Sequence, residues 1–134
     1  MAFLTDRKRA SGLGAAKTGT EHFWGMTISS AALLILVPLF VFTVGPMIGQ
    51  DYEAVTAYFA RPFPALVALL TFVVALLHFK NGVTVLIEDY VHGLARKVWI
   101  IIMTCVSYAA IAAAVFAIAR LALLSFGDHT YGCL

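Results

Sequence analysis

Charge is scarce in this sequence. Lys, Arg, Asp and Glu together make up 12% of its 134 residues, about half of the roughly 25% usual in a soluble domain. A chain that is also 62% hydrophobic cannot cover itself with water-compatible surface. An ordinary soluble domain is thereby excluded, and a membrane protein is the natural reading. The formal net charge of +2 is too small for a nucleic-acid-binding surface. Cysteine is scarce as well. Cys105 lies in an apolar run, Cys133 stands next to the C-terminus, and no CxxC is present. Neither a disulfide framework nor a cysteine metal site is indicated.

Three long apolar runs are present instead. The basic cluster Arg7-Lys8-Arg9 could open a secretion signal, but the apolar run begins well downstream, at Trp24. It then continues for about 20 residues, whereas a cleavable segment has about 7–15. The run from 24 to 44 is read as a retained span, with Pro38 in its outer half and Gly45-Pro46 at its end. A second span is read over 64–87, with Pro64 in its first turn, and a third over 98–124, entered at Trp99. Residues 1–21 form a basic, Gly-rich tail outside the membrane. Between the first two spans, Asp51 suits the N-cap of a short helix through Ala60, with Tyr52, Val55 and Phe59 on one face at the membrane interface; an irregular loop is the alternative. Ala109, Ala113 and Ala117 recur every fourth residue, a spacing that allows close helix approach in lipid. The last residues, with His129, read as a short polar tail.

The expected fold is an all-α membrane protein, a single domain over 1–134 with three transmembrane helices. Orientation follows from the Lys/Arg bias. The N-terminal tail carries Arg7, Lys8, Arg9 and Lys17, the loop over 88–97 carries Arg96 and Lys97, and the loop over 45–63 carries Arg61 alone. The N-terminus is therefore expected in the cytoplasm and the C-terminus on the periplasmic side.

The segment from Leu76 to His92 interrupts the pattern. His78, Lys80 and Asn81 lie inside an otherwise apolar run that ends in Glu88-Asp89-Tyr90. Ionisable groups within a span are functional candidates by default. On a helix, His78 shares a face with Thr71, Ala75, Gly82 and Asp89, so small residues flank the imidazole one turn to either side. The recess suits a planar macrocycle whose iron takes an axial histidine nitrogen. It equally suits the backbone of a neighbouring helix, or a proton relay. His78 lies about 15 Å along the axis from Glu88, near the bilayer midplane. Asp89 and Tyr90 fall at the cytoplasmic interface, where a phenol can donate to a carbonyl oxygen and a carboxylate can orient it or relay protons. Polar residues ending a helix at the interface are the plainer reading. Lys80 lies deep, about 200° from His78 around the helix. Its partner is expected outside this chain, and shielding both residues calls for an oligomer.

Several motifs carry a resemblance: Ser11-Gly12-Leu13-Gly14, Gly19-Thr20-Glu21-His22-Phe23-Trp24, and His78 followed after ten residues by Asp89-Tyr90-Val91. The chain resembles the small hydrophobic membrane-anchor (D) subunit of bacterial succinate dehydrogenase, respiratory complex II, most of all the alphaproteobacterial type. The resemblance implies that His78 is an axial ligand of a b-type haem iron, the other ligand coming from a second anchor subunit (C). It implies that Tyr90 hydrogen-bonds ubiquinone, that Asp89 supports that site, and that His22 lies near the haem propionates or a subunit interface. Further implied partners are an iron–sulfur subunit and a flavoprotein subunit, with membrane lipid around the spans. The implied function is non-catalytic anchorage in succinate:ubiquinone oxidoreductase, linking the tricarboxylic acid cycle to respiratory electron transfer at the bacterial inner membrane. The lack of a long Arg/Ser-rich leader agrees with a bacterial source. One departure is plain: many members of this family carry an arginine a few residues after the His-Phe-Trp motif, where this chain has Gly25-Met26-Thr27.

Two other readings compete. A small homo-oligomeric proton-coupled transporter would line its path with His78, Lys80 and Asp89, although the spans show no internal repeat. A purely structural assembly subunit would bind neither haem nor quinone.

Overall fold

The computed structural model describes residues 5–12 and 19–131, all helix or short connection. A short helix α1 covers Asp6–Ser11. The long helix α2 covers Gly19–Val44 and tightens into a 3-10 turn over Gly45–Met47. A short α3 follows at Tyr52–Phe59, then α4 at Pro62–Tyr90 and α5 at Gly93–Tyr131. Three of these helices are long and apolar enough to cross a membrane. At 1.5 Å per residue, the 29 residues of α4 span about 43 Å, more than a hydrocarbon core of about 30 Å.

α4 is the central element, packed against α2 on one side and α5 on the other. The small buried core lies at its N-terminal end, where Ala65, Val67, Ala68 and Thr71 are covered, and Ile87 is covered near the other end. Phe40 of α2 meets Phe72 of α4 edge to face, 5.7 Å between centroids. Large apolar side chains such as Leu34, Phe42, Ile101 and Phe116 stay exposed along α2 and α5. Helices apolar on all sides belong in lipid or against other subunits.

The polar side chains of the spans are satisfied locally. Thr27, Ser30, Thr71, Thr84 and Ser107 each donate to the carbonyl four residues back, at 2.7–2.9 Å. A hydroxyl folded onto its own helix needs no water, which an apolar medium cannot supply. Among the described residues, no buried side-chain nitrogen or oxygen lacks a partner.

Several expectations change in detail. α2 begins at Gly19, inside the stretch read as tail, and the tail itself holds α1. The short helix after the first span forms with Asp51 at the N-cap position, but the Asp51 side chain makes no capping bond. Its structural tie comes from Tyr58, off the face singled out in the sequence. The Tyr58 hydroxyl donates to the Thr43 carbonyl at 2.9 Å, satisfying an acceptor in the last turn of α2.

The basic segment before the third span is helical from Gly93, so only Val91 and His92 connect α4 to α5. Gly93 turns the chain at φ +71°, a conformation glycine takes without strain. Charge had marked Arg96 and Lys97 as loop, but a helix can extend past the lipid without a break. α5 continues to Tyr131, so His129 falls on its final turns and not in an irregular tail. Leu13, Gly14, Lys17 and Cys133 lie outside the described residues. The alanines at 109, 113 and 117 are exposed on α5, with Ala117 bordering a groove beside Tyr52 of α3.

Candidate functional site

The cross-helix contacts set an antiparallel register. Gly25 of α2 faces Asn81 of α4, where an added Cβ would stand 3.8 Å from the Asn81 amide nitrogen. One turn further along, Ser29 Oγ lies 2.9 Å from His78 Nδ1. The N-terminal end of α2 is therefore at the same end of the bundle as Glu88-Asp89-Tyr90 and the start of α5.

His78 is half-buried in the α2/α4 seam. Ser29 is itself fixed, because its hydroxyl also lies 2.8 Å from the Gly25 carbonyl and 3.0 Å from that of Met26. Small residues let the helices approach here. Beside the seam runs an open, apolar groove of about 340 Å³, bordered by Gly25, Ile28, Ser29 and Ala32 of α2 and Val74, Leu77 and Asn81 of α4. On the other flank of His78, a Cβ built on Gly82 would meet nothing within 4 Å. The flat surface beside the imidazole is thus not taken up by another helix of this chain.

Lys80 behaves differently from the sequence expectation. Its ammonium stands 5.4 Å from the centroid of the Tyr108 ring on α5. The ring face attracts the cation, and desolvation strengthens that attraction. The partner expected outside the chain is therefore inside it. His78 and Lys80 are each met by a neighbouring helix of the same chain, so their angular separation alone does not require an oligomer. His78, Lys80 and Asp89 also do not line one common path within the chain: the first faces α2, the second faces α5, and the third is exposed at the helix end.

The remaining candidates lie toward the shared end of the bundle. Asp89 and Tyr90 close α4, and Tyr90 is 80% exposed. Tyr90 is twelve positions beyond His78, about 18 Å along the axis. They form two stations on one helix, not one pocket. His22 is exposed near the start of α2. It lies seven residues before Ser29, two helical turns and about 10 Å along the same face. Among the described residues, no three His, Cys, Asp or Glu side chains converge to hold a metal ion. A lone imidazole beside an open flat surface suits a metal that arrives within a macrocycle and takes its other ligand elsewhere.

Three residues escaped the sequence reading: Ser29, Tyr58 and Tyr108. The stripe His22, Gly25, Ser29 and Ala32, at turns of three and four, was the available signal for Ser29. Lys80 lies 11 residues before the Val91-His92 turn and Tyr108 lies 16 after it, so distance from the turn gave no signal for Tyr108.

Comparison with known proteins gives a consistent set of likenesses. The family described as succinate dehydrogenase/fumarate reductase transmembrane subunit matches residues 2–122. The succinate dehydrogenase hydrophobic membrane anchor subunit of Paracoccus denitrificans is 47% identical over 123 residues, covering 92% of this chain and 95% of that protein. The succinate dehydrogenase membrane anchor subunit of Reclinomonas americana is 31% identical over 80 residues, covering 58% of this chain and 67% of that protein. No solved structure gives a significant match.

Proposed function

The chain belongs to the succinate dehydrogenase/fumarate reductase transmembrane subunit family, as a membrane anchor subunit, and from that premise we propose that it contributes one axial ligand of a b-type haem and part of a quinone-reduction site. His78 is the ligand. Haem, when bound, supplies a one-electron carrier whose potential its surroundings tune. Gly82 keeps the surface beside the imidazole flat enough for a macrocycle, and His22 serves the propionate edge, on the α2 face that also carries Ser29. Tyr90 donates its phenol proton in a hydrogen bond to a carbonyl oxygen of ubiquinone. Asp89 orients that phenol or passes protons to the reduced product.

In this reading the chain is a non-catalytic component of succinate:ubiquinone oxidoreductase. Its partners are a second anchor subunit that brings the other haem ligand, an iron–sulfur subunit and a flavoprotein subunit. The end of the bundle holding Tyr90 faces the cytoplasm. Arg96 and Lys97 stand at that end, and the N-terminal basic segment leads into it, which supports an N-in, C-out placement in the bacterial inner membrane.

The observation that carries the proposal is the open surface at Gly82 beside a histidine already anchored by Ser29. A histidine packed between helices of this chain alone would have that surface filled. The test is a reduced-minus-oxidised spectrum of the purified assembly, compared with its His78→Leu variant. The b-type bands are expected in the first and lost in the second. Bands of unchanged amplitude in His78→Leu would remove the histidine from the site.

A further inference from the structure

Ser29 has one hydroxyl proton and three close polar neighbours: the Gly25 carbonyl at 2.8 Å, the Met26 carbonyl at 3.0 Å and His78 Nδ1 at 2.9 Å. The two carbonyls can only accept. Donation to a carbonyl of its own helix is the pattern of the other Ser and Thr residues of the spans, and it leaves the Ser29 oxygen free to accept. What the Ser29 oxygen offers His78 is a lone pair, and a lone pair at that distance calls for a proton on Nδ1. A neutral imidazole protonated at Nδ1 carries its free lone pair on Nε2.

We propose that Ser29 is a positioning residue for His78: from the neighbouring helix it fixes the tautomer and the rotation of the imidazole, so that Nε2 is presented for ligation. This rests on the haem reading of His78. Three features make the serine a firm support. Its oxygen is locked by two backbone carbonyls of its own helix. Gly25, one turn before it, brings α2 close to Asn81 of α4. The bond joins positions 49 residues apart, so it ties ring orientation to the docking of two helices and not to local geometry. A hydrogen bond from the non-ligating nitrogen makes an imidazole a stronger donor and restrains its plane. Losing such a bond costs metal affinity about 10–100-fold in comparable sites.

The test uses the intact assembly with Ser29→Ala and Ser29→Thr, reading haem content, haem midpoint potential and the low-spin EPR signal. Ser29→Ala is expected to weaken haem retention about tenfold. It is also expected to raise the midpoint potential, because a less donating ligand favours the ferrous state, and to shift or broaden the EPR signal as the ring plane is released. Ser29→Thr keeps the hydroxyl and should restore the wild-type potential and signal. Wild-type potential and EPR in Ser29→Ala would overturn the proposal, as would a Thr variant indistinguishable from an altered Ala variant. His78→Leu separates the two levels. If it leaves the haem spectrum intact, the haem reading fails and this inference with it. If it abolishes the spectrum while Ser29→Ala changes neither potential nor EPR signal, only the role of Ser29 fails.

Discussion

Two faces of α4 handle the same problem in opposite ways. His78 and Lys80 are two residues apart, each a polar group deep in an apolar helix. Toward α5, Lys80 is closed off: its charge rests against the Tyr108 ring, and the contact completes itself within the chain. Toward α2, His78 is held by one nitrogen at Ser29 while the surface next to it stays open at Gly82. A polar group placed for structure ends its contacts inside the fold. His78 is anchored on one side, and the other side is not covered by any helix of this chain. Burial alone does not separate the two, because both residues are half-buried.

The strongest way to break this contrast is to fill the open face. Gly82→Leu should leave the chain folded, since nothing lies within 4 Å of a Cβ built there, yet the purified assembly should lose most of its b-haem absorbance. Full haem content in that variant would show the recess to be unrelated to the cofactor. A smaller effect is expected at the end both faces share. Tyr90→Phe should lower quinone reduction roughly tenfold, about 1.4 kcal/mol of transition-state stabilisation, with the haem spectrum unchanged. Steady-state assays with a soluble quinone decide this, and unaltered turnover would remove the phenol from the site.

The closed face is tested by stability rather than by function. Tyr108→Leu strands the Lys80 charge and should cost about 1 kcal/mol. Adding Lys80→Met should recover much of that loss, because the charge needing a partner is gone. A thermal-denaturation double-mutant cycle reads the coupling, and haem and quinone readouts should stay put throughout. The smallest effect is expected at Tyr58→Phe, which leaves the Thr43 carbonyl without its side-chain donor for about 0.5 kcal/mol, because that bond lies at a helix end and is only partly buried. It should lower the melting temperature slightly and touch neither ligand.

Much of the architecture was legible before any coordinates. Apolar run length located the three long helices, while Asp51 with its following apolar positions left a short helix and an irregular loop both open, and the helix α3 is what forms. What escaped was fixed by contacts between segments. The α5 start was misjudged because Arg96 and Lys97 look like loop residues, whereas a backbone can stay helical after leaving lipid. The Lys80 partner depended on how α5 packs against α4, because Tyr108 lies farther from the turn than Lys80 does. Ser29 looked like a routine small polar residue of a span until α2 and α4 were set in register. His78 stood out for its residue type, but nothing local could name the atom that holds it.

The α4–α5 turn has a last consequence, for the order of assembly. Two residues join these helices, so they pair as a hairpin at little entropic cost, and Lys80 meets Tyr108 early. Ser29 reaches His78 only by closing a chain separation of 49 residues. The hairpin can therefore be complete while its histidine still swings free. Its orientation waits for the first long helix to settle against the pair, the later of the two contacts to close.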